Sequence, residues 1–267
     1  VRSCPLEGEG GALLAFDALD HLCDEYVAMV AHDLRNPLQA MMLQLELLLR
    51  HHSGESAVQV PIAALRRLSR NGQRLARLVQ DLLDSARIEG GRVHLDREPL
   101  ELPRVVAELV QQLELTLGNH PVQLRVEGEP QVVLADPLRL EQILTNLLEN
   151  AAKFSSEGSP IEVTMARSNG GARVTVCDRG PGIPPEDLPG LFDRHHQAKR
   201  AREKRSGLGL GLYIARGMVD AHGGRLWVER MPKGSAFHVW LPCSPQGLSV
   251  AACLGAAQEQ DAALPAP

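Results

Sequence analysis

The strongest constraint on the fold of this chain is a change of hydrophobic period at Gly90–Gly91. Before that point apolar residues recur at steps of three and four; after it they gather in short β-branched runs. From Leu22 to about Arg50 the apolar positions are Val27, Val30, Ala31, Leu34, Leu38, Met41, Leu45 and Leu48, one stripe of a helix. His51 to Glu55 interrupts it as a loop. A second stripe then follows, through Ile62, Leu65, Leu68, Leu75, Leu78, Leu82 and Ala86. The glycine pair ends it, as glycine does past a helix C-terminus. Two long amphipathic helices on a short loop make an antiparallel hairpin that cannot bury its stripe alone. A four-helix bundle in a homodimer is the economical solution.

Beyond Gly91 the sequence predicts strands at Val122–Val126, Val132–Ala135, Ile161–Met165, Val174–Cys177 and Phe237–Leu241. It predicts helices near Val105–Leu117, Leu138–Phe154 and Leu210–His222. That mixture reads as an α/β sandwich with helices on one side of a mixed sheet, so the chain as a whole is α+β. The expected division is residues 1–19 as a linker or the end of an upstream element, 20–91 as the hairpin, 92–243 as the sandwich and 244–267 as a disordered, Ala-, Gln- and Pro-rich tail.

Bulk properties narrow the function classes. A length of 267 residues suits one large or two small domains. A formal net charge of −5 speaks against a nucleic-acid surface. The cysteines Cys4, Cys23, Cys177, Cys243 and Cys253 show neither disulfide-framework nor zinc spacing, which suits a reducing cytoplasm. With no run of about 18 apolar residues, no membrane contact is expected of this segment, and no signal peptide is evident. The first residue is Val1 rather than methionine, the pattern of an excised fragment, so a sensor module is expected to be missing from it.

Two segments carry chemistry. On the first helix His32-Asp33-Leu34-Arg35-Asn36-Pro37-Leu38 sets an imidazole one residue before an acid and five before a proline. Pro37 removes the hydrogen bond to the Asp33 carbonyl and should bend the helix there. His32 should lie beside the seam and look outward, with Asp33 placed to accept one ring proton while the other nitrogen acts as nucleophile. On the helix from Leu138, Asn146, Asn150 and Lys153 recur at spacings of four and three and share a face, while Ile143, Leu147 and Ala151 point to the sheet. Asn150 can offer an oxygen to Mg2+, and Lys153 a point charge to phosphate. Asp178 closes a β-run and is followed by Gly180 and Gly182. Gly207, Gly209 and Gly211 precede a helix whose N-terminus favours anions.

Taken together, in this order and covering roughly Asp20 to Pro242, these boxes resemble the catalytic core of a bacterial two-component sensor histidine kinase. The resemblance implies a dimeric phosphoacceptor hairpin followed by an ATP-binding domain of the histidine kinase, gyrase and heat-shock chaperone type. It implies ATP and Mg2+ as cofactors, autophosphorylation of His32, and transfer to an aspartate of a response regulator receiver domain. In the family the acid after the histidine, here Asp33, assists phosphotransfer. The polar residue at Asn36 positions water when the regulator is dephosphorylated. Asp178 receives the exocyclic amine of adenine, and Gly207, Gly209 and Gly211 form the second glycine box. The basic run Ala198 to Arg205 resembles the lid over the nucleotide. A departure lies at Leu191-Phe192-Asp193-Arg194, where the family often has a second aromatic shortly after the first and this chain has His195 and His196. Three other readings compete: a conformational ATPase, which would carry a glutamate base where Asn146 stands, a regulator phosphatase, and an ATP-binding dimeric scaffold without turnover.

Overall fold

The computed structural model describes residues 30–48, 60–113, 117–128, 132–194 and 208–243. The described residues divide into two compact units: those up to Leu83, with Leu208, and those from Asp84 onward. The predicted linker at 1–19, the helical positions expected at 22–29, the loop from His51 to Glu55 and the tail from Ser244 lie outside the described residues.

In the first unit, residues 30–48 are helical throughout (α1), Pro37 included, and α2 begins at Ile62 and runs to Glu89. Each helix carries two apolar seams side by side. On α1 the covered one follows Val30, Leu34, Pro37, Met41, Gln44 and Leu48; on α2 it follows Ala64, Leu68, Asn71, Leu75, Leu78 and Leu82. Steps of four and three alternate, the heptad spacing that lets two helices mesh along their length. Gly72 lies against α1, its missing Cβ being 3.9 Å from Met41 Sδ. The second seams stay exposed: Leu38, Met42 and Leu45 on α1, and Leu65, Val79 and Leu83 on α2. A single hairpin therefore hides about half of what its sequence prepares for burial.

The second unit is built on a five-stranded sheet. Its strands are β2 (Val122–Glu127), β4 (Ile161–Ser168), β5 (Gly171–Cys177), β6 (Arg225–Arg230) and β7 (Ser235–Pro242), in the spatial order β2-β4-β5-β7-β6. Only β2 and β4 run parallel. A parallel pair needs a crossover, and α4 (Pro137–Phe154) supplies it. β1 (Glu98–Glu101) and β3 (Val132–Ala135) form a separate antiparallel ribbon. The β4–β5 hairpin turns through Asn169 and Gly170, both at positive φ, the pair a two-residue hairpin turn demands. The inner sheet face, with Ile161, Val163, Val174, Val176, Val239 and Leu241, is sealed by helices that bring Leu140, Ile143, Leu147, Ile214 and Met218 to nearly zero exposure.

The two remaining helices are α3 (Leu102–Leu113) and α5 (Gly211–Ala221). Helix α3 starts earlier than periodicity predicts because Pro103 fits the first turn, where a missing N–H costs nothing. Strands β1 and β6 go beyond the elements the sequence predicts. β1 is four residues long and contains Pro99, and β6 (R-L-W-V-E-R) hides its short apolar centre between charges.

The N-terminus of α4 anchors the unit. Asp136 caps it, accepting the Arg139 N–H at 3.1 Å and the Asp96 N–H at 3.0 Å. Burial works against the Asp136 charge, but the N–H groups of Arg139, Asp96 and Leu138 overcome it and hold the carboxyl below the usual carboxylate range. The Asp136 N–H donates to His222 Nε2 at 3.0 Å, while His222 Nδ1 donates to the Met218 carbonyl at 2.7 Å. Those roles require neutral imidazole, and burial depresses the His222 pKa below the ordinary range.

The last turns of α2 belong to this second unit. Asp84, 2% exposed, accepts from Arg139 at 3.2 Å and Gln142 at 2.9 Å. Ile88 packs onto the bare backbone of Gly217, where a Cβ would come within 2.7 Å of it, and Glu89 pairs with Arg194.

Because the folded pKa of His222 lies below the unfolded one, the unfolded chain binds the extra proton between them, and stability rises with pH across that window. The urea midpoint of the parent should therefore fall as pH drops from about 7 to about 5.5, from the unfolded imidazole pKa downward. In His222→Gln, which is stable to a lesser degree at pH 7, that slope should flatten.

Candidate functional site

His32 stands on α1 with its side chain 59% exposed, and its Nδ1 is 3.2 Å from Asp33 Oδ1. The Asn36 amide nitrogen, one turn on, is 3.3 Å from each ring nitrogen. With Asp33 accepting an Nδ1 proton, Nε2 is the ring nitrogen left to carry a lone pair, beside the Asn36 amide. Pro37 offers no N–H to the Asp33 carbonyl, so the helix ladder is open one turn from the His32 ring.

The second site gathers around Asp178, which is 5% exposed at the end of β5. Its Oδ1 accepts the Gly180 N–H at 2.8 Å, and its own N–H donates to the Ser235 carbonyl at 2.9 Å. Burial pushes this carboxyl above the ordinary carboxylate range, against the Gly180 and Ser235 backbone and the Ser235 hydroxyl, which favour its charge. Space is short on every side. A Cβ at Gly180 would come within 2.6 Å of the Phe154 carbonyl, and one at Gly234 within 1.9 Å of the Asp178 carbonyl. Gly182 (φ 75°) and Gly234 (φ 95°) also hold left-handed backbone conformations that side chains disfavour.

Helix α4 forms another wall. Ile143, Leu147 and Ala151 are buried, and the half-buried Asn146, Asn150 and Lys153 lie on the remaining side. Asn146 Nδ2 donates to the Gly211 carbonyl at 3.1 Å, joining α4 to the first residue of α5. Lys153 Nζ lies 4.7 Å above the Phe154 ring centre. Gly209 (φ 69°) sits two residues before α5. Among the predicted site residues, Asp178, Gly180 and Gly182 share one cradle, and Asn146 and Gly211 meet each other.

Comparison with known proteins gives the arrangement its kin. A family model for the His kinase A phospho-acceptor domain matches residues 24–91, and one for the histidine kinase-, DNA gyrase B- and HSP90-like ATPase matches residues 135–245. The adaptive-response sensory kinase SasA of Crocosphaera subtropica is 34% identical over 227 residues, 82% of this chain and 59% of that protein. The probable sensor histidine kinase TcrY of Mycobacterium tuberculosis is 33% identical over 238 residues, 89% of this chain and 49% of that protein. The chain belongs to the histidine kinase family.

It spans about half to three fifths of the length of these two kinases. The solved histidine kinase AdeS of Acinetobacter baumannii shares the fold, with a TM-score of 0.60 at 22% identity over 80% of this chain and 98% of that one. Histidine kinase ThkA, solved in complex with response regulator protein TrrA, gives a TM-score of 0.58 at 25% identity over 84% of this chain and 63% of that one. Full-length ShkA, solved in complex with AMPPNP, gives 0.60 at 25% identity over 82% and 46%.

For this histidine kinase, sequence reasoning missed Gly234 and Ser235, which close the Asp178 cradle from β7. The signal available was a glycine before the β-run that pairs with the Asp178 strand, but pairing partners are not written in a single sequence. Gly207, the pair His195–His196 and the basic run Ala198 to Arg205 lie outside the described residues. At the departure from the family's phenylalanine box, Phe192 stacks under the Arg216 guanidinium of α5 at 5.5 Å.

The Gly180 contact makes Asp178→Asn informative. Asn would turn its oxygen to the Gly180 N–H and aim its NH2 group at any amine donor in the pocket, donor facing donor. Affinity for ATP, read by calorimetry, should fall at least about 50-fold, the cost of a buried unsatisfied group. Thermal stability should hold or rise, because a buried charge is removed.

Proposed function

We propose that this chain is an ATP- and Mg2+-dependent protein-histidine kinase that autophosphorylates His32 and passes the phosphoryl group to an aspartate of a response regulator receiver domain. One observation carries the reading: a single chain holds an outward imidazole with an acid on its inner nitrogen and a buried carboxylate cradle built on glycines. Each feature alone has bland explanations, whereas a phosphoryl transfer to nitrogen needs both. The AMPPNP in ShkA and the regulator in the ThkA complex support nucleotide and partner by kinship.

The chemistry follows from the side chains. Nε2 of His32 attacks the γ-phosphorus in line, the bond to the bridging oxygen breaks, and ADP leaves. Asp33 holds the Nδ1 proton and spreads the positive charge that the ring acquires. Asp178 accepts from the adenine amine, while Gly180, Gly182, Gly207, Gly209 and Gly211 let backbone approach the nucleotide. Lys153 faces phosphate as a point charge.

The donor set suits Mg2+. Asn146 spends its N–H on Gly211, which turns its carbonyl oxygen away from that bond, and Asn150 adds a neutral hard oxygen one turn on. An ion that keeps most of its waters and borrows phosphate oxygens needs no more from protein, so Asn150 would hold it. When bound, it neutralises charge on the phosphate oxygens. The bond from Asn146 to Gly211 also weighs against a conformational ATPase, because an amide occupies the place of that family's glutamate base.

The exposed second seam on each hairpin helix supports a homodimer, since a second copy would cover Leu38, Met42, Leu65 and Val79 at heptad spacing. A regulator phosphatase activity is a second reading, favoured by the Asn36 amide next to the His32 ring, where it can orient water.

Incubation with γ-labelled ATP and Mg2+ tests the main reading. The parent should acquire label that is lost in acid and survives alkali, His32→Gln should acquire none, and Asn150→Ala should label at least about 100-fold more slowly, as loss of a metal-positioning group does. No label on a parent that binds ATP tightly would overturn the kinase reading in favour of phosphatase or scaffold.

A further inference from the structure

The outer face of the five-stranded sheet carries both tryptophans of the chain, Trp227 and Trp240, and neither the catalytic chemistry nor the dimer seam uses them. Alternation along the strands sends Arg173 of β5, His238 and Trp240 of β7, and Arg225 and Trp227 of β6 to that side, away from the helices. Trp240 stands at the centre. Its direct neighbours across the sheet are Arg173 on β5 and Arg225 on β6. The indole rests on bare backbone, since a Cβ at Gly171 would come within 2.5 Å of its Cε2, and its Nε1–H donates to the Ser168 carbonyl at 2.8 Å. The ring is therefore fixed in place, half-buried, with its remaining surface turned to solvent.

The charges beside it are unmatched. Arg173 and Arg225 make no ion pair among the described residues, and Arg173 Nε is shut off from water with no acceptor. The nearby acids are engaged elsewhere: Glu162 pairs with Arg179, and Glu229 accepts the Trp227 Nε1–H at 3.4 Å, with His238 Nε2 3.5 Å away. Arg125 and Glu127 stand at the far edge of the face, on β2. His238 is stacked on Trp227, ring centres 4.9 Å apart, and burial depresses its pKa, so it adds no charge near neutral pH.

We propose that Trp240, Arg173 and Arg225 form a second nucleotide site, on the opposite face of the sheet from the helices that wall the Asp178 cradle, stacking a nucleobase on the indole and binding its phosphate with the guanidiniums. The inference goes beyond the kinase reading and does not depend on it. A fixed indole is a stacking platform for any base, and a guanidinium meets phosphate with paired N–H groups in one plane. A dry, unbonded Nε is costly to keep, and a phosphate oxygen satisfies it. A bare carboxylate would use the arginines and leave the indole idle, whereas an uncharged ring would do the reverse. The net charge of −5 repels a long polyanion, so the ligand is a nucleotide or dinucleotide, free or as part of a short single strand. Strand β5 leads from this patch to Asp178, and β7 reaches it from Ser235, so the ligand would rest on the two strands that hold the cradle.

Because both tryptophans lie on this face, intrinsic tryptophan fluorescence reports on it alone. The full chain, its Asp178 cradle saturated with AMPPNP, is titrated with GMP, GDP, a short single-stranded oligothymidine, guanosine and pyrophosphate, with ligand absorption corrected against free tryptophan. Saturable quenching is expected from GMP and GDP or from the oligothymidine. Guanosine and pyrophosphate, each lacking half of the ligand, should bind at least about tenfold more weakly. Quenching by GMP and GDP assigns a free nucleotide, and quenching by the oligothymidine alone assigns a single strand. The double variant Arg173→Gln/Arg225→Gln should lose at least about tenfold in affinity for the active probe. Its affinity for AMPPNP, read by calorimetry, should match the parent's, which shows that it is folded. Trp240→Phe keeps a smaller platform and should fall between. Absence of saturable quenching by every probe overturns the proposal, as does equal affinity of parent and double variant. Equal affinity for pyrophosphate and GDP also overturns it, in favour of a simple anion site. Quenching that appears only without AMPPNP overturns it too, because the ligand then lies in the cradle. Each of these outcomes leaves γ-labelling of His32, and with it the kinase reading, untouched.

Discussion

A carboxylate held almost out of water at the end of β5 sets the terms for the second unit. Asp178 is costly to bury, and the fold offsets that cost with the Gly180 N–H, the Ser235 backbone and hydroxyl, and a strand pairing that continues into β7. Such donors must come very close, so the positions around the carboxylate are stripped of side chains. Gly180 lets the Phe154 carbonyl in, and Gly234 lets the Asp178 carbonyl in. The C-terminal end of α4, the end of β5 and the start of β7 thus meet at one point. An enclosed acceptor of this type recognises a donor by leaving the charged group unsatisfied when the wrong ligand enters.

The other end of α4 is fixed just as firmly, by different chemistry. His222, Asp136 and Asp96 exchange bonds between the end of α5, the cap of α4 and the segment before β1. Asp84 then ties the last turns of α2 to Arg139 and Gln142 on the same helix. A buried ionic cluster contributes little net stability but is costly to leave half-made. Its effect is to specify where the α2 end sits on α4. Helix α4, which carries Asn146, Asn150 and Lys153, is therefore held at both ends, and packing fixes where those three side chains start.

What could be read from the sequence was whatever has a short-range period. The heptads before Gly90, the face of α4 with Ile143, Leu147 and Ala151 inside, and the β-branched runs at Val132–Ala135 and Ile161–Met165 all announce themselves locally. So did His32, Asp33 and Asn36, which lie within one helical turn. The elements that escaped depend on distant partners. β1 exists because it pairs with β3, and β6 because β7 lies beside it. Ser235 and Gly234 matter through Asp178, some 56 residues earlier in the chain. Nor does periodicity show that α2 continues, from Asp84, into the second unit. The helix is unbroken to Glu89, and only contacts mark the change of allegiance.

The hairpin illustrates how one helix surface is shared among several demands. On α2 the seam through Leu68, Leu75 and Leu82 is the covered one, the seam through Leu65 and Val79 stays exposed, and the arginines lie on another side. Between the second seam and the arginines runs a strip of exposed neutral residues, Ser69, Gln73, Ala76 and Gln80. No acidic residue lies between Ile62 and Gln80, so that stretch carries no pairs of opposite charge within the helix. On α1 the same economy places His32 at the edge of the covered seam, between Ala31 and Leu34. There the backbone is held by packing, and the ring stays in water, within reach of Asp33 and Asn36.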